Sequence, residues 1–111
     1  MAVRVEAKSN LTVCHVDGEI NINSSPDIKK AFDKLISKKI PKIVINLSQV
    51  TYVDSSGLAT LVEILKNMKS YGGKLRLTNL SVKIKSLFEI TKLDKLFDIM
   101  AEEADAISTF N

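Results

Sequence analysis

The sequence predicts a single α/β domain. Its core is a mixed, mostly parallel sheet of four to five strands, opened by an N-terminal antiparallel hairpin and flanked by three to four helices. Three observations carry this. Strand-type and helix-type periodicities alternate along the 111 residues. One short run, Ile43-Val44-Ile45-Asn46-Leu47, is apolar almost throughout, as in a strand covered on both faces. Strands joined through helices imply parallel pairing with right-handed crossovers. The length suits one domain, spanning 1–111, and is too short for two.

The elements follow in order. Val3, Val5 and Ala7 alternate with Arg4, Glu6 and Lys8, the period-two pattern of a strand with one wet face. Ser9-Asn10 is a turn pair, and Leu11 to Val16 reads as the returning strand of a hairpin. Asp17-Gly18 is expected to break that strand. Ser25-Pro26-Asp27 then signals a helix start, with Ser25 at the cap. Ile28, Ala31, Phe32, Leu35 and Ile36 form one apolar stripe, and Lys38, Lys39 and Pro41 close the helix.

After the buried run at 43–47, Val50, Tyr52 and Val53 lead to Asp54-Ser55-Ser56-Gly57, where a second helix begins. Leu58, Leu61, Val62, Leu65 and Met68 give its stripe, and Gly72-Gly73 stops it. Lys74 to Thr78 is another strand. A third helix runs from about Ser81 to Thr91, burying Ile84, Leu87 and Phe88. Leu96, Phe97 and Ile99 suggest a last short strand, and Met100 to Phe110 a weak terminal helix.

Composition narrows the function. The net charge is +3, but the lysines are spread along the chain and the two Tyr and four Phe are scattered. A solvated mixed surface explains that better than a nucleic-acid footprint, which would interleave aromatics with cations. A single cysteine, Cys14, cannot form an internal disulfide and reads as a small buried hydrophobe. Met1 to Glu6 has no apolar leader region, and no stretch is long enough to cross a bilayer. The expectation is a cytoplasmic protein without a membrane span.

The inventory for catalysis is thin. His15 is the only histidine, with no second ligand spaced to share a metal. Glu102, Glu103 and Asp105 read as a solvated face. No glycine-rich loop ends in Lys-Ser or Lys-Thr, so nothing cradles a nucleotide phosphate. The expectation is a binding protein with no cofactor, not an enzyme.

The segment that stands out is Val53 to Leu58, where a buried strand meets a helix start. In open α/β sheets that edge is where ligands and partners bind. Ser, Asp and Gly also serve simply as helix-start residues, and both readings can hold together. A phosphate on Ser55 would add about −1.5 to −2 charges. A helix N-terminus tolerates such charge, whereas a docked partner would have to bury it unpaired at a cost of several kcal/mol.

At this point the chain resembles a known family. Val50 to Leu58, following the strand at 43–47, is similar to the signature of STAS domains of the bacterial anti-sigma factor antagonist type. Gly72 to Leu77 resembles the entry to the family's fourth strand, and Ser81 to Phe97 its third helix and last strand. Gly18-Glu19-Ile20-Asn21 is similar to the loop after the second strand. The resemblance implies an anti-sigma factor antagonist. Unphosphorylated, such a protein binds an anti-sigma factor that is also a serine kinase, and the sigma factor is released. The kinase phosphorylates the serine after the aspartate, here Ser55, and the complex dissociates; a metal-dependent serine phosphatase reverses this. Asp54 and Ser56 would then shape the loop and meet the kinase, and Gly57 would admit the partner closely. Asn21 stands where many antagonists carry Asp. Two other readings stay open: a STAS scaffold subunit of a transporter or signalling complex that is not phosphorylated, and a nucleotide-binding protein.

Overall fold

The computed structural model describes residues 2–8 and 11–110. Strand β1 (Ala2–Ala7) pairs antiparallel with β2 (Thr12–Ile20), with Val5 opposite Cys14. The turn expected at Ser9-Asn10 lies outside the described residues. β1 is the edge of the sheet, and Val5 is exposed there, so the alternation Val3, Val5, Ala7 does not mark a buried face along its whole length.

β2 is longer than the sequence suggests. Asp17-Gly18 bends it without ending it. The register against β3 (Lys42–Val53) shifts between His15 and Asp17 and again between Gly18 and Glu19. Gly18 takes a φ of 84°, a left-handed conformation that costs glycine little because it has no Cβ. Each shift leaves one extra residue on β3, and the pairing continues to Ile20, opposite Val53. β3 likewise continues well past Leu47.

Helix α1 (Ser25–Ser37) starts one residue earlier than the Ser-Pro-Asp pattern implies, with Ser24 in the cap position. Ser24 Oγ does not cap in the usual way: it donates to the Glu19 carbonyl at 2.7 Å and accepts the Asn21 N–H at 2.9 Å. Helix α2 (Ser55–Lys69) follows β3, and β4 (Lys74–Thr78) follows α2. Gly73 N–H closes the end of α2 on the Met68 carbonyl at 2.8 Å. Helix α3 (Val82–Ile90) is capped by Ser81, whose Oγ accepts the Ile84 N–H at 3.2 Å.

The last strand is shorter and later than expected. Leu93–Lys95 form a single 3₁₀ turn entered through Lys92 at a φ of 66°, and β5 spans Asp98–Met100. Leu96 is therefore outside the sheet and exposed, while Phe97 is buried edge-on against Phe88. Helix α4 (Glu103–Ser108) closes the described chain. The sheet order is β1-β2-β3-β4-β5, antiparallel only at the first pair.

Strand alternation divides the core between the two faces of the sheet. Cys14, Val16, Ile43, Ile45 and Leu47 join Ile28 and Phe32 of α1, Leu61, Ile64 and Met68 of α2, and Phe88 of α3 in one large cluster. Leu11, Val13 and Val44 pack instead with Ala106 and Phe110. The terminal helix is therefore the cover of the second face. Arg76 ties it down, donating from one guanidinium nitrogen to the Ala106 carbonyl at 2.9 Å and to Thr109 Oγ1 at 2.8 Å. The same guanidinium lies 4.5 Å from the centre of the Phe110 ring.

Candidate functional site

β3 and β4 are parallel, so the helices that follow them both start from the carboxyl edge of the sheet. The junction between β3 and α2 is Asp54, held from two sides. Its N–H donates to the Ile20 carbonyl at 3.1 Å, which pins the junction to the end of β2. Its carboxylate Oδ1 accepts the Gly57 N–H at 2.8 Å, which caps the helix. The capping residue is thus Asp54, and the first helical residue is Ser55. The aspartate does the structural work, and the serine is left free.

Ser55 is exposed, and its hydroxyl makes no hydrogen bond among the described residues. It sits where the first N–H groups of a helix lack intrahelical partners and carry partial positive charge. Ser56 is half-buried, and its carbonyl accepts Thr60 Oγ1 at 3.0 Å one turn on. Asn21 lies at the end of β2 and folds onto its own turn. Its Oδ1 accepts the N–H groups of Asn23 at 2.9 Å and Ser24 at 3.0 Å. An acceptor oxygen is all that turn requires of the side chain, so Asn serves it as an Asp would.

Gly57 is buried, and its missing Cβ has a different reason from the close approach of a partner. A β-carbon there would come within 2.8 Å of Ile20 Cγ2 and still nearer the Ile20 carbonyl oxygen. Glycine lets α2 sit directly on the end of β2, and that contact aims Ser55 outward.

Beside this junction runs an apolar groove of about 780 Å³. One wall is the Thr51–Ser55 segment with Leu58; the other is α3, through Lys83, Ile84, Ser86, Leu87 and Ile90, with Thr91 just past its end. The sequence stripe assigned Leu87 to the core. The structure leaves it half-buried at the groove, with Tyr52 44% and Ile90 78% exposed beside it. Ile90 falls off the Ile84/Leu87/Phe88 stripe, as does the exposed Val82, and these are the signals in the sequence that α3 carries apolar surface beyond its core-facing side.

The other candidates lie elsewhere. His15 is half-buried, with Nε2 3.6 Å from Glu103 Oε1 and 4.0 Å from Glu6 Oε2. It lines a separate hollow with Arg4, Asn46 and Gln49, and none of the residues that hold Ser55 lines it. Glu103 is not a solvated tail residue: its Oε1 accepts the side-chain N–H of buried Asn46 at 2.8 Å. Cys14 is fully buried, and burial pushes its thiol up to about 12. Among the described residues no cluster of three or more His, Cys, Asp or Glu could hold a metal ion. Among them, too, no helix is long and apolar enough to cross a membrane.

Comparison with known proteins agrees with this fold. The STAS domain profile matches residues 2–106. The anti-sigma-B factor antagonist of Bacillus subtilis is 34% identical over 109 residues, covering 96% of this chain and 99% of its own. The crystal structure of an anti-sigma factor antagonist from Mycobacterium paratuberculosis superposes with a TM-score of 0.88 at 25% identity, over 96% of this chain and 91% of that one. The Bacillus cell fate determinant SpoIIAA in its phosphorylated form shares the fold, with a TM-score of 0.77 at 20% identity over 99% of this chain and all of its own.

Proposed function

The chain belongs to the STAS domain family, and we propose that it is an anti-sigma factor antagonist whose switch is a phosphate on Ser55. In the unphosphorylated state it binds an anti-sigma factor that is also a serine kinase, and the sigma factor is freed. That kinase transfers a phosphoryl group from ATP to Ser55 Oγ, and the complex separates. A serine phosphatase restores the binding form. Residues 1–111 act as one regulatory binding domain in the cytoplasm, with Asn21, Asp54, Ser55 and Ser56 forming the face presented to the kinase and Gly57 buried behind it, seating α2 on the end of β2.

One observation carries the reading: Ser55 is exposed and unbonded at a junction that Asp54 and Gly57 hold rigid. The energetics follow from that. In the free protein a phosphate at the start of α2 stays in water, so it costs the fold little. In a complex the same charge meets a packed surface. Burying it without a partner costs several kcal/mol, enough to change occupancy by orders of magnitude.

The test is direct. The purified protein is incubated with candidate anti-sigma kinases of its own genome, ATP and magnesium, and any phosphate is located by mass spectrometry. Phosphate on Ser55, abolished in Ser55→Ala and retained in Ser56→Ala, is the expected result. Phosphate confined to another residue, or none with any of the kinases, overturns it.

A further inference from the structure

The charges beside Ser55 are unevenly placed. Among the described residues, two charged ones line the groove, Asp54 and Lys83. Asp54 is already engaged, through the Gly57 N–H at 2.8 Å. Lys83 is exposed and makes no ion pair or hydrogen bond among the described residues. The neighbouring lysine of the same helix, Lys85, lies at a different hollow, with Glu89 and Asp94. Among the described residues the groove therefore holds one uncommitted cation, on the wall opposite the Thr51–Ser55 segment.

Resting on the reading of Ser55 as a phosphate acceptor, we propose that Lys83 is the counter-ion of that phosphate, paired with it across the apolar groove between α2 and α3. A phosphate on Ser55 is repelled by the Asp54 carboxylate next to it in the chain. Lys83 is the group in the groove that can offset this. Its four-carbon stem can lie along the groove lining while its ammonium reaches outward. Over an apolar surface the attraction is less screened than in open water. The pair changes the character of the groove without any rearrangement of the fold. Unphosphorylated, the mouth offers apolar surface from Tyr52, Leu87 and Ile90 with a free cation at its rim. Phosphorylated, the cation is taken and the mouth is bridged by charge. A partner that uses the groove loses both features at once.

The test needs no kinase. Phosphoserine is installed at position 55 during translation, and the phosphate is titrated by ³¹P NMR in the wild type, Lys83→Met and Lys85→Met. Free phosphoserine loses its second proton near pH 6. An ammonium partner favours the dianion, so the wild-type midpoint lies below that of Lys83→Met by about 0.2–0.7 pH units, the range of an exposed ion pair. Lys85→Met titrates like the wild type. Identical midpoints in all three proteins, or equal shifts in both variants, overturn the pairing. A partner that binds the phosphorylated protein undiminished would sink the switch proposed above, while the ³¹P result would still establish the pair.

Discussion

Gly57 lies against the Ile20 carbonyl so closely that no β-carbon fits between them. The same carbonyl accepts the Asp54 N–H at 3.1 Å. One backbone oxygen at the end of β2 thus fixes both the junction before Ser55 and the helix turn after it. The position of the serine is set by a contact between elements 37 residues apart in sequence (Ile20 and Gly57). Gly57→Ala tests this contact. The obstacle is backbone, which cannot swing aside, so the substitution should destabilise the fold by about 1–3 kcal/mol. Urea unfolding reads it as a lower midpoint at unchanged slope. Unaltered stability would mean that α2 can slide off β2 freely.

Asp54 separates capping from charge. Asp54→Ala removes the acceptor for the Gly57 N–H and should cost about 0.5–2 kcal/mol. Asp54→Asn keeps an acceptor oxygen in place and should stay within about 0.5 kcal/mol of the wild type. Thermal unfolding of the two variants distinguishes them. Equal losses would show that the carboxylate charge, not the cap, holds the junction.

Ser55→Ala should change stability by no more than about 0.5 kcal/mol, because the hydroxyl is exposed and unbonded. It should hold the protein in its binding form. Ser55→Asp should weaken the cognate anti-sigma factor by about tenfold or more, equivalent to about 1.4 kcal/mol by calorimetry. Undiminished affinity in Ser55→Asp together with unchanged affinity in the phosphorylated protein would refute an electrostatic switch.

Cys14 gives a pH dependence whose sign follows from burial. Its thiol is pushed up to about 12 in the folded protein, while the unfolded chain ionises near the ordinary value of about 8.5. The unfolded state therefore releases its proton first as pH rises. This residue's contribution is constant at neutral pH, and stability falls as pH climbs through and above the unfolded value. Alkylation of Cys14 at pH 8 should be slow and track global unfolding. Rapid labelling of the native protein would show that the strand interior opens locally.

Much of this was legible without coordinates, and the reasons are local. A period of two, a period near 3.6, Pro26 near a helix start and Gly72-Gly73 at a helix end are all consequences of how neighbouring residues fit one backbone shape. They were enough for the order of elements, for parallel pairing, and for marking the strand–helix junction at Asp54-Ser55 as the place to look. The errors were local readings overruled at a distance. Asp17-Gly18 reads as a break, but β2 keeps its pairing with β3 on both sides of it, the extra residue of each register shift lying on β3. Glu103 reads as solvated, but Asn46 claims it from 57 residues away.

What the sequence by itself determined is the chemistry available: a serine after an aspartate at a strand–helix junction, one cysteine, one histidine with no second metal ligand spaced to join it. What only the tertiary structure decided is which of those groups faces outward and beside what. Gly57 is a glycine because of Ile20, and Ser55 shares a groove with Lys83 because β3 and β4 run parallel and send their helices off the same edge. Periodicity reports the face a residue prefers; only packing between distant elements places one face against another.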